Sequence, residues 1–313
     1  MNLRTYQGGD EGAIIQLWNR TLIHDPIDAS TFYRKVLLDA NFDVSGVWVA
    51  EIDSQLVGYI QAIVRRVPLG TEYEPDVGWI TAIAVDPNFQ GRGIASQLMD
   101  HALAYLRSKG RKRVEFSSYA PYYVVPGLDR AGYRHALAFF SSKGFTVQYS
   151  PVAMDKGLVD FVMPPDVQHK LDQLVHEGVV VEPISPPYFT RVLEFCDREF
   201  YADWSRALRQ ALAANIDWAQ LQICREGETV LGFAIFGAYD AHLERFGPFG
   251  VGASQRGRGL GKALLYRTLA EMKRRGCHSA WFLWTGEKSP AGHLYDGAGF
   301  AVTRRFDILQ KTL

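Results

Sequence analysis

The chain has 313 residues, of which 47% are hydrophobic and 22% charged, and Lys+Arg and Asp+Glu balance at 34 each. This length favours two domains of roughly 150 residues, because a single hydrophobic core usually stops growing below it. The balanced charge provides no overall positive field to hold a nucleic acid, so no nucleic-acid partner is expected.

No run of about 18 apolar residues is present to span a bilayer, so no membrane partner is expected. The first residues lack the apolar stretch of a secretory signal, and we expect a cytoplasmic protein. Cys196, Cys224 and Cys277 are far apart and form no Cys-x-x-Cys pair, which predicts neither a disulfide framework nor a metal site. We expect these thiols to be small apolar core residues.

The first half begins with strand and helix patterns and a hairpin at residues 53–59, followed by an apolar strand at residues 80–85. A glycine-rich loop comes next. Apolar residues at helical spacing then predict a helix that ends at Gly110, followed by a strand over residues 114–118 and a helix before Gly144 and Phe145. The loop consists of Gln90, Gly91, Arg92, Gly93, Ile94 and Ala95.

The second half repeats this order, with a hairpin at residues 226–233, a strand at 246–251 and a second loop 166 positions after the first. A helix ending at Gly276, a strand at 280–284 and the pair Gly299 and Phe300 follow. Pro164 and Pro165 open a short amphipathic segment, so we place a domain boundary near residue 165, giving domains 1–165 and 166–313. Each half is predicted to be one mixed α/β domain. The second loop consists of Arg256, Gly257, Arg258, Gly259, Leu260 and Gly261.

Glycines between a strand and a helix allow positive φ angles and a close approach to a ligand, while the free N–H groups of the helix point at it. An anion fits such a site best, and Arg92 and Arg258 add positive charge. Neither loop has the spacing of the Walker or the dinucleotide motif, which indicates a pyrophosphate other than that of ATP or NAD.

Both loops resemble the motif Gln/Arg-x-x-Gly-x-Gly/Ala of the GNAT superfamily of N-acetyltransferases. This resemblance implies two tandem domains, each a mixed, mostly antiparallel sheet flanked by helices, and acetyl-CoA as the acyl donor to a primary amine. It also implies that the loop amides hold the pyrophosphate of CoA and that the preceding strand binds the pantetheine arm. Besides the loop residues, the implied CoA-binding residues are Ile83, Ala84, Val85, Phe249, Gly250 and Val251.

The family commonly uses a tyrosine four residues before the Gly-Phe glycine as general acid. Tyr295 has this position in the second half, whereas Phe140 has it in the first and cannot donate a proton. We therefore expect the second half to be catalytic and the first to contribute little chemistry. Glu244 is the candidate general base; His242, Glu287 and a chain of water molecules are alternatives.

The first half carries 11 additional residues between loop and Gly-Phe pair, within the aromatic, proline-rich residues 119–129. This segment is either a self-packed surface loop, a wall of the substrate site or a contact between the halves. In the second half, Pro248 removes a backbone donor, which predicts an edge or bulged strand there.

The leading functional hypothesis is a small-molecule N-acetyltransferase, and a resemblance to tandem bacterial glucosamine N-acetyltransferases suggests an amino sugar as acceptor. An acetyltransferase of proteins or peptides, or one of thiol-cofactor biosynthesis as in mycothiol synthases, is the alternative. A third hypothesis is a non-catalytic sensor or scaffold that binds CoA. The sequence carries no signal for an oligomeric state.

Overall fold

The computed structural model describes residues 1–70, 73–116, 119–239 and 242–313. The chain divides into two compact units. The first unit comprises Met1–Pro68, Glu72–Pro151 and Arg305–Leu313, and the second comprises Leu69–Thr71 and Val152–Arg304. Among the helices of the described ranges, none combines the length and the hydrophobicity that crossing a membrane requires.

The first unit contains a sheet with strand order β1-β2-β3-β4-β5-β14-β7. Its described strand pairs are antiparallel except β4–β5, which is parallel. Helices α1 and α3 bury their apolar residues in the core that the sheet also lines. Its elements before β14 are β1 (Asn2–Thr5), α1 (Glu11–Thr21), α2 (Ala29–Phe32), β2 (Val47–Ile52), β3 (Gln55–Val64), β4 (Val77–Val85), α3 (Ile94–Ser108), β5 (Arg113–Phe116), β6 (Leu128–Asp129), α4 (Ala136–Ser142) and β7 (Thr146–Tyr149).

The second unit contains an antiparallel sheet with strand order β12-β11-β10-β9, and its strand β8 pairs antiparallel with β13. A parallel bridge between Arg245 and Trp281 connects the start of β12 to β13. Its elements are β8 (Val152–Gly157), α5 (Pro165–His176), β9 (Val179–Pro183), α6 (Phe189–Glu199), α7 (Ala202–Ala213), β10 (Leu221–Glu226), β11 (Thr229–Phe236), β12 (Phe246–Val251), α8 (Leu260–Arg274), β13 (Ser279–Thr285) and α9 (Pro290–Gly297). Strand β14 (Ala301–Thr312) begins in this unit with residues 301–304 and continues in the first unit.

The predicted fold class is confirmed: a mixed, mostly antiparallel sheet flanked by helices occurs in both units. Both predicted hairpins form, and Asp53 and Ser54 make the first turn with positive φ angles. The predicted strand over residues 114–118 is observed as β5, and Ser117 and Ser118 lie outside the described residues. All three cysteines are buried, and burial raises the pKa of each thiol.

The compact units divide the chain at 151/152 and 304/305 rather than near residue 165. Residues 305–312 of β14 complete the first unit, where they pair with β5 from Leu309↔Phe116 to Thr312↔Arg113. Phe306, Ile308 and Leu309 of this strand are buried. Conversely, β8 follows β7 along the chain but pairs with β13 in the second unit. The boundary near residue 165 therefore remains a prediction about domains, and the compact units do not follow it.

This strand assignment predicts that a substitution near the end of the sequence destabilises the first unit. Leu309 is fully buried in the first core, so Leu309→Ala should lower the free energy of unfolding by about 2–5 kcal/mol. Denaturant unfolding with amide hydrogen exchange at β5 measures this loss. Val175→Ala, at a side chain that is 58% exposed, is the control and should change stability by less than about 0.5 kcal/mol. Unchanged exchange at β5 in Leu309→Ala would contradict the assignment.

Candidate active site

Both glycine loops adopt the same backbone conformation. Gly91 and Gly93 have φ angles of +75° and +77°, and Gly257 and Gly259 have +83° and +80°. Gly93 and Gly259 are the N-caps of α3 and α8, in the left-handed region that only glycine adopts without strain. Each loop therefore ends in the first turn of a 15-residue helix, whose N–H groups lack intrahelical acceptors and can bind an anion.

Space around the loops is compatible with a phosphate group. No atom of the described residues lies within 4 Å of a Cβ built on Gly91 or Gly257. A Cβ on Gly259 would lie 3.0 Å from Cε of Lys170, which extends from α5 over the second loop. Sequence reasoning missed Lys170, because nothing in the periodicity of α5 indicates which residue faces a loop 89 positions away.

Arg92 and Arg258 make local contacts within or beside their loops. Arg92 donates to the carbonyl of Asn88 at 3.3 Å and lies over the ring of Phe89. Arg258 donates to Oε1 of Gln255 at 2.6 Å and lies 3.7 Å from the carboxylate of Glu226. Arg256 is exposed. Part of the positive charge predicted for the second loop is therefore balanced by Glu226.

The strand before the second loop is irregular at the position predicted. Its pairing with β11 shifts between Ala234 and Phe236, so that Ile235 faces both Gly247 and Pro248. This is a bulge, and β12 is also the end strand of its four-stranded sheet. The prediction for Pro248 is confirmed. The bulge aims the remaining residues of β12, with Phe249 half-buried and Gly250 buried, toward the start of α8.

Gly250 allows a ring to contact the backbone of β12. A Cβ there would lie 2.3 Å from Cζ of Phe200, so any larger residue would displace that ring. At the end of the loop, a Cβ on Gly261 would lie 3.5 Å from Cδ2 of Leu294 and 3.8 Å from Cζ of Phe249. Strand β12, the first turn of α8 and helix α9 therefore converge at Gly261.

Tyr295 lies on α9 within a cluster of aromatic rings. Its ring centroid is 4.4 Å from that of Phe282, 5.5 Å from Phe300 and 6.0 Å from Phe249. The side chain is buried, and burial raises the pKa of its phenol above the ordinary value. The phenol is therefore protonated at neutral pH, as a proton donor must be.

The first unit has the same arrangement without the hydroxyl. Phe140 is buried, with its ring centroid 4.4 Å from Phe116 and 5.2 Å from Phe145. Phe116, Phe140 and Phe145 thus correspond to Phe282, Tyr295 and Phe300. The register inferred from the sequence therefore describes the same ring packing in both units.

Glu244 is bound at the start of β13. Its Oε1 accepts from the backbone N–H groups of His278 at 2.6 Å and Ser279 at 3.1 Å, and its Oε2 accepts from Oγ of Ser279 at 2.8 Å. The hydroxyl of Ser279, and then the two N–H groups, lower the pKa of this carboxyl group. These contacts favour a role in holding β13, and Glu244 as a general base stays a prediction. The alternatives His242 and Glu287 are both exposed.

A cavity of about 550 Å³ lies in the first unit, beside its glycine loop. The implied CoA-binding residues Ile83, Val85 and Gln90 line it. Val125 and Leu128 line it as well, so the segment that distinguishes the first half forms a wall of the cavity. This agrees with one of the sequence-based alternatives for that segment.

Known proteins with similar sequences and structures give the same family. "Mycothiol acetyltransferase" from Amycolatopsis mediterranei (strain U-32) is 29% identical over 150 residues, which cover 47% of this chain and 46% of that protein. The chain therefore spans about half the length of this relative.

Two solved structures cover 99% of this chain. The first is "a unique GCN5-related glucosamine N-acetyltransferase region" in a fungal multi-domain β-N-acetylglucosaminidase, with a TM-score of 0.80, 19% identity and 38% of that chain covered. A GCN5-related N-acetyltransferase from Sphaerobacter thermophilus has a TM-score of 0.72, 18% identity and 95% coverage. At these identities the likeness establishes the fold.

The family model of the "Acetyltransferase (GNAT) family" matches the chain twice, at residues 13–121 and 189–300. Each match contains one glycine loop and the strand and helix that flank it, and together they cover more than half of the chain. This protein belongs to the acetyltransferase (GNAT) family, with one copy of the family's domain in each half.

Proposed function

We propose that this protein transfers an acetyl group from acetyl-CoA to a primary amine of a small molecule, with the chemistry in the second unit. The observation that carries the proposal is the position of Tyr295. It lies on α9, buried among aromatic rings beside β12, and the loop at Gly259 caps the neighbouring helix in the chain, α8. The loop would hold the pyrophosphate, β12 would bind the pantetheine arm, and Tyr295 would lie near the thioester sulfur.

In this mechanism the neutral amine attacks the thioester carbonyl carbon. The C–N bond forms as the C–S bond breaks, and the phenol of Tyr295 gives its proton to the leaving sulfur. The proton lost by the amine passes to a base or to water, and the phenolate is reprotonated from solvent. Burial raises the pKa of Tyr295, so its phenol is protonated at neutral pH and available to donate to the leaving sulfur.

An amino sugar is the acceptor that the fungal structure favours, since that structure is a glucosamine N-acetyltransferase region. A thiol-bearing amine is the second candidate, which the relative named mycothiol acetyltransferase favours. Release of free CoA from acetyl-CoA, followed with amino sugars, polyamines, amino acids, aminoglycosides and cysteine derivatives, separates the two. CoA binding without release on any amine would instead favour the non-catalytic sensor.

Removing the hydroxyl of Tyr295 should slow the chemical step. Tyr295→Phe keeps the ring packing, so kcat should fall by about ten to 10⁴-fold while CoA affinity and melting temperature stay close to wild type. Tyr266→Phe, at another buried tyrosine of the second unit, is the matched control and should retain full kcat. Normal turnover by Tyr295→Phe would leave Tyr295 with a packing role.

A side chain at Gly259 should abolish CoA binding in the second unit. Gly259→Glu places a negative charge in the loop and strains a φ angle of +80°. Calorimetry should show loss of this site together with loss of turnover. Gly276→Glu, with φ +84° at the other end of α8, carries the same backbone strain and is the control.

Gly93→Glu should leave turnover largely intact, and a loss of kcat by orders of magnitude in a folded Gly93→Glu protein would contradict the assignment of chemistry to the second unit.

Glu244→Gln separates a structural from a catalytic role for this residue. Loss of charge-assisted hydrogen bonds should cost about 1–3 kcal/mol of stability at pH 7. Because the pKa of Glu244 is lowered in the folded state, its contribution is present above the ordinary value of 4.5 and is lost as the pH falls through the lowered value. The wild-type and variant denaturation curves should therefore converge in acid. Glu194→Gln, at an exposed position on α6, is the control. Unchanged stability with a kcat loss that removes the acidic limb of the pH profile would identify Glu244 as the base.

A further inference from the structure

The cavity of the first unit is lined both by the glycine loop and by an apolar wall. Its loop end is formed by Gln90, Gly91 and Gly93, where the free N–H groups of α3 favour an anion. The side of β4 continues from there along Val85 and Ile83 to Ala82. The lining also contains a second wall, formed by Val125 and Leu128 of the additional segment together with Phe116 and Phe140. A ligand with its phosphates at the loop would share the cavity with this second wall.

That second wall is apolar and buried. Phe116, Val125, Leu128 and Phe140 are each less than 5% exposed, and all four line the cavity. The polar lining residues Arg134 and His135 are exposed. A volume of about 550 Å³ is within the range of small-molecule sites, which combine apolar walls with a few polar groups.

Hydrogen bonds and an ion pair hold the wall in place. The hydroxyl of Tyr133, a lining residue, donates to Oδ2 of Asp25 at 2.8 Å. Oδ1 of Asp129 accepts from the backbone N–H groups of Ala131 and Gly132, both at 3.0 Å. Arg130 forms an ion pair with the buried Asp307 of β14. These contacts fix the segment without a ligand, so binding costs little ordering of the wall.

The second unit differs from the first at the strand that precedes its glycine loop. Phe249 takes the strand position of Ile83, and its ring lies 6.0 Å from that of Tyr295, which contacts Phe282 in turn. The second half also lacks the 11 additional residues that include the wall. The second unit thus has a larger side chain than the first at this strand position, and it lacks the additional segment.

We propose that the first unit binds an acyl-CoA whose acyl chain is longer than acetyl, with the chain against Val125, Leu128 and Phe140. This inference rests on the proposed use of acyl-CoA. The first unit then serves as a binding site with a different acyl preference from the second, and Phe140 closes its apolar end where Tyr295 carries a hydroxyl.

A chain-length series tests this proposal on the full-length Gly259→Glu protein, in which the first unit retains the intact loop. Calorimetry with acetyl-, butanoyl-, hexanoyl- and octanoyl-CoA should give affinity that rises at least tenfold from acetyl to hexanoyl. Full burial of one methylene corresponds to about fourfold, or about 0.8 kcal/mol. If this variant is unfolded, a two-site titration of the wild-type protein serves, because chain length should tighten one of its two sites. Affinity that is constant or falls with chain length would overturn the proposal.

Filling the cavity should remove the preference. Val125→Phe and Ala136→Leu both add volume to the lining, and Ala136 is half-buried, so the second variant tolerates the larger group more readily. Both should retain affinity for CoA itself and lose the gain from acetyl to hexanoyl. Val44→Phe, at a side chain that is 45% exposed, should keep it. A retained preference in both folded filling variants would contradict the site.

Turnover of acetyl-CoA by the Gly93→Glu protein reports on the proposed function independently. Turnover there with no chain-length preference in Gly259→Glu would overturn the inference and leave the proposed function intact. A chain-length preference in Gly259→Glu with no turnover of acetyl-CoA on any amine would overturn the proposed function and support the inference about the first unit.

Discussion

A strand that leads into a helix must reverse its backbone within a few residues, and in both units two glycines with positive φ make that turn. An L-residue in this region costs roughly 1–2 kcal/mol, so two such positions in one loop are costly to fill with anything but glycine. Gly93 and Gly259 place the first N–H groups of two 15-residue helices at the end of an apolar strand. The direction of each proposed ligand site follows from this turn, because its proposed anion-binding end is fixed at the loop and the strand leads away from it.

In the second unit, strand β12 contacts the cluster of aromatic rings around Tyr295. The bulge at Gly247 and Pro248 and the packing of Phe200 on Gly250 set the course of β12, and Phe249 then meets Tyr295. Loss of hydration determines the pKa of this phenol, because burial is the only cause that raises it. A dry site also strengthens interactions with charge that develops on a leaving sulfur. The same packing therefore keeps the proposed acid protonated and would exclude water from a thioester bound beside it.

Local pattern in the sequence predicted much of this arrangement. The paired loops, the helices that follow them, the hairpin at Asp53 and the bulge at Pro248 all depend on residues close together in the chain, and each is observed. The features that the sequence did not predict depend on residues far apart. Three such contacts join segments that no periodicity connects: Lys170 lies over Gly259, Glu244 accepts from the N–H groups of His278 and Ser279, and residues 309–312 pair with β5. The domain boundary near residue 165 stays a prediction.

The two units differ in the residue at the position of Tyr295 and in the additional segment of the first half, and both differences affect the cavity of the first unit. Phe140 has the packing of Tyr295 without its hydroxyl, and a missing hydroxyl in an apolar site leaves no polar group that needs a partner. The first unit can therefore keep an apolar end to its cavity, which a buried phenol would interrupt. Asp307 of β14 pairs with Arg130 beside Asp129, whose carboxylate caps the turn at Gly132. The strand that completes the first sheet thus also holds the wall of its cavity, so the core of the first unit and the shape of this cavity depend on the same residues, 305–312.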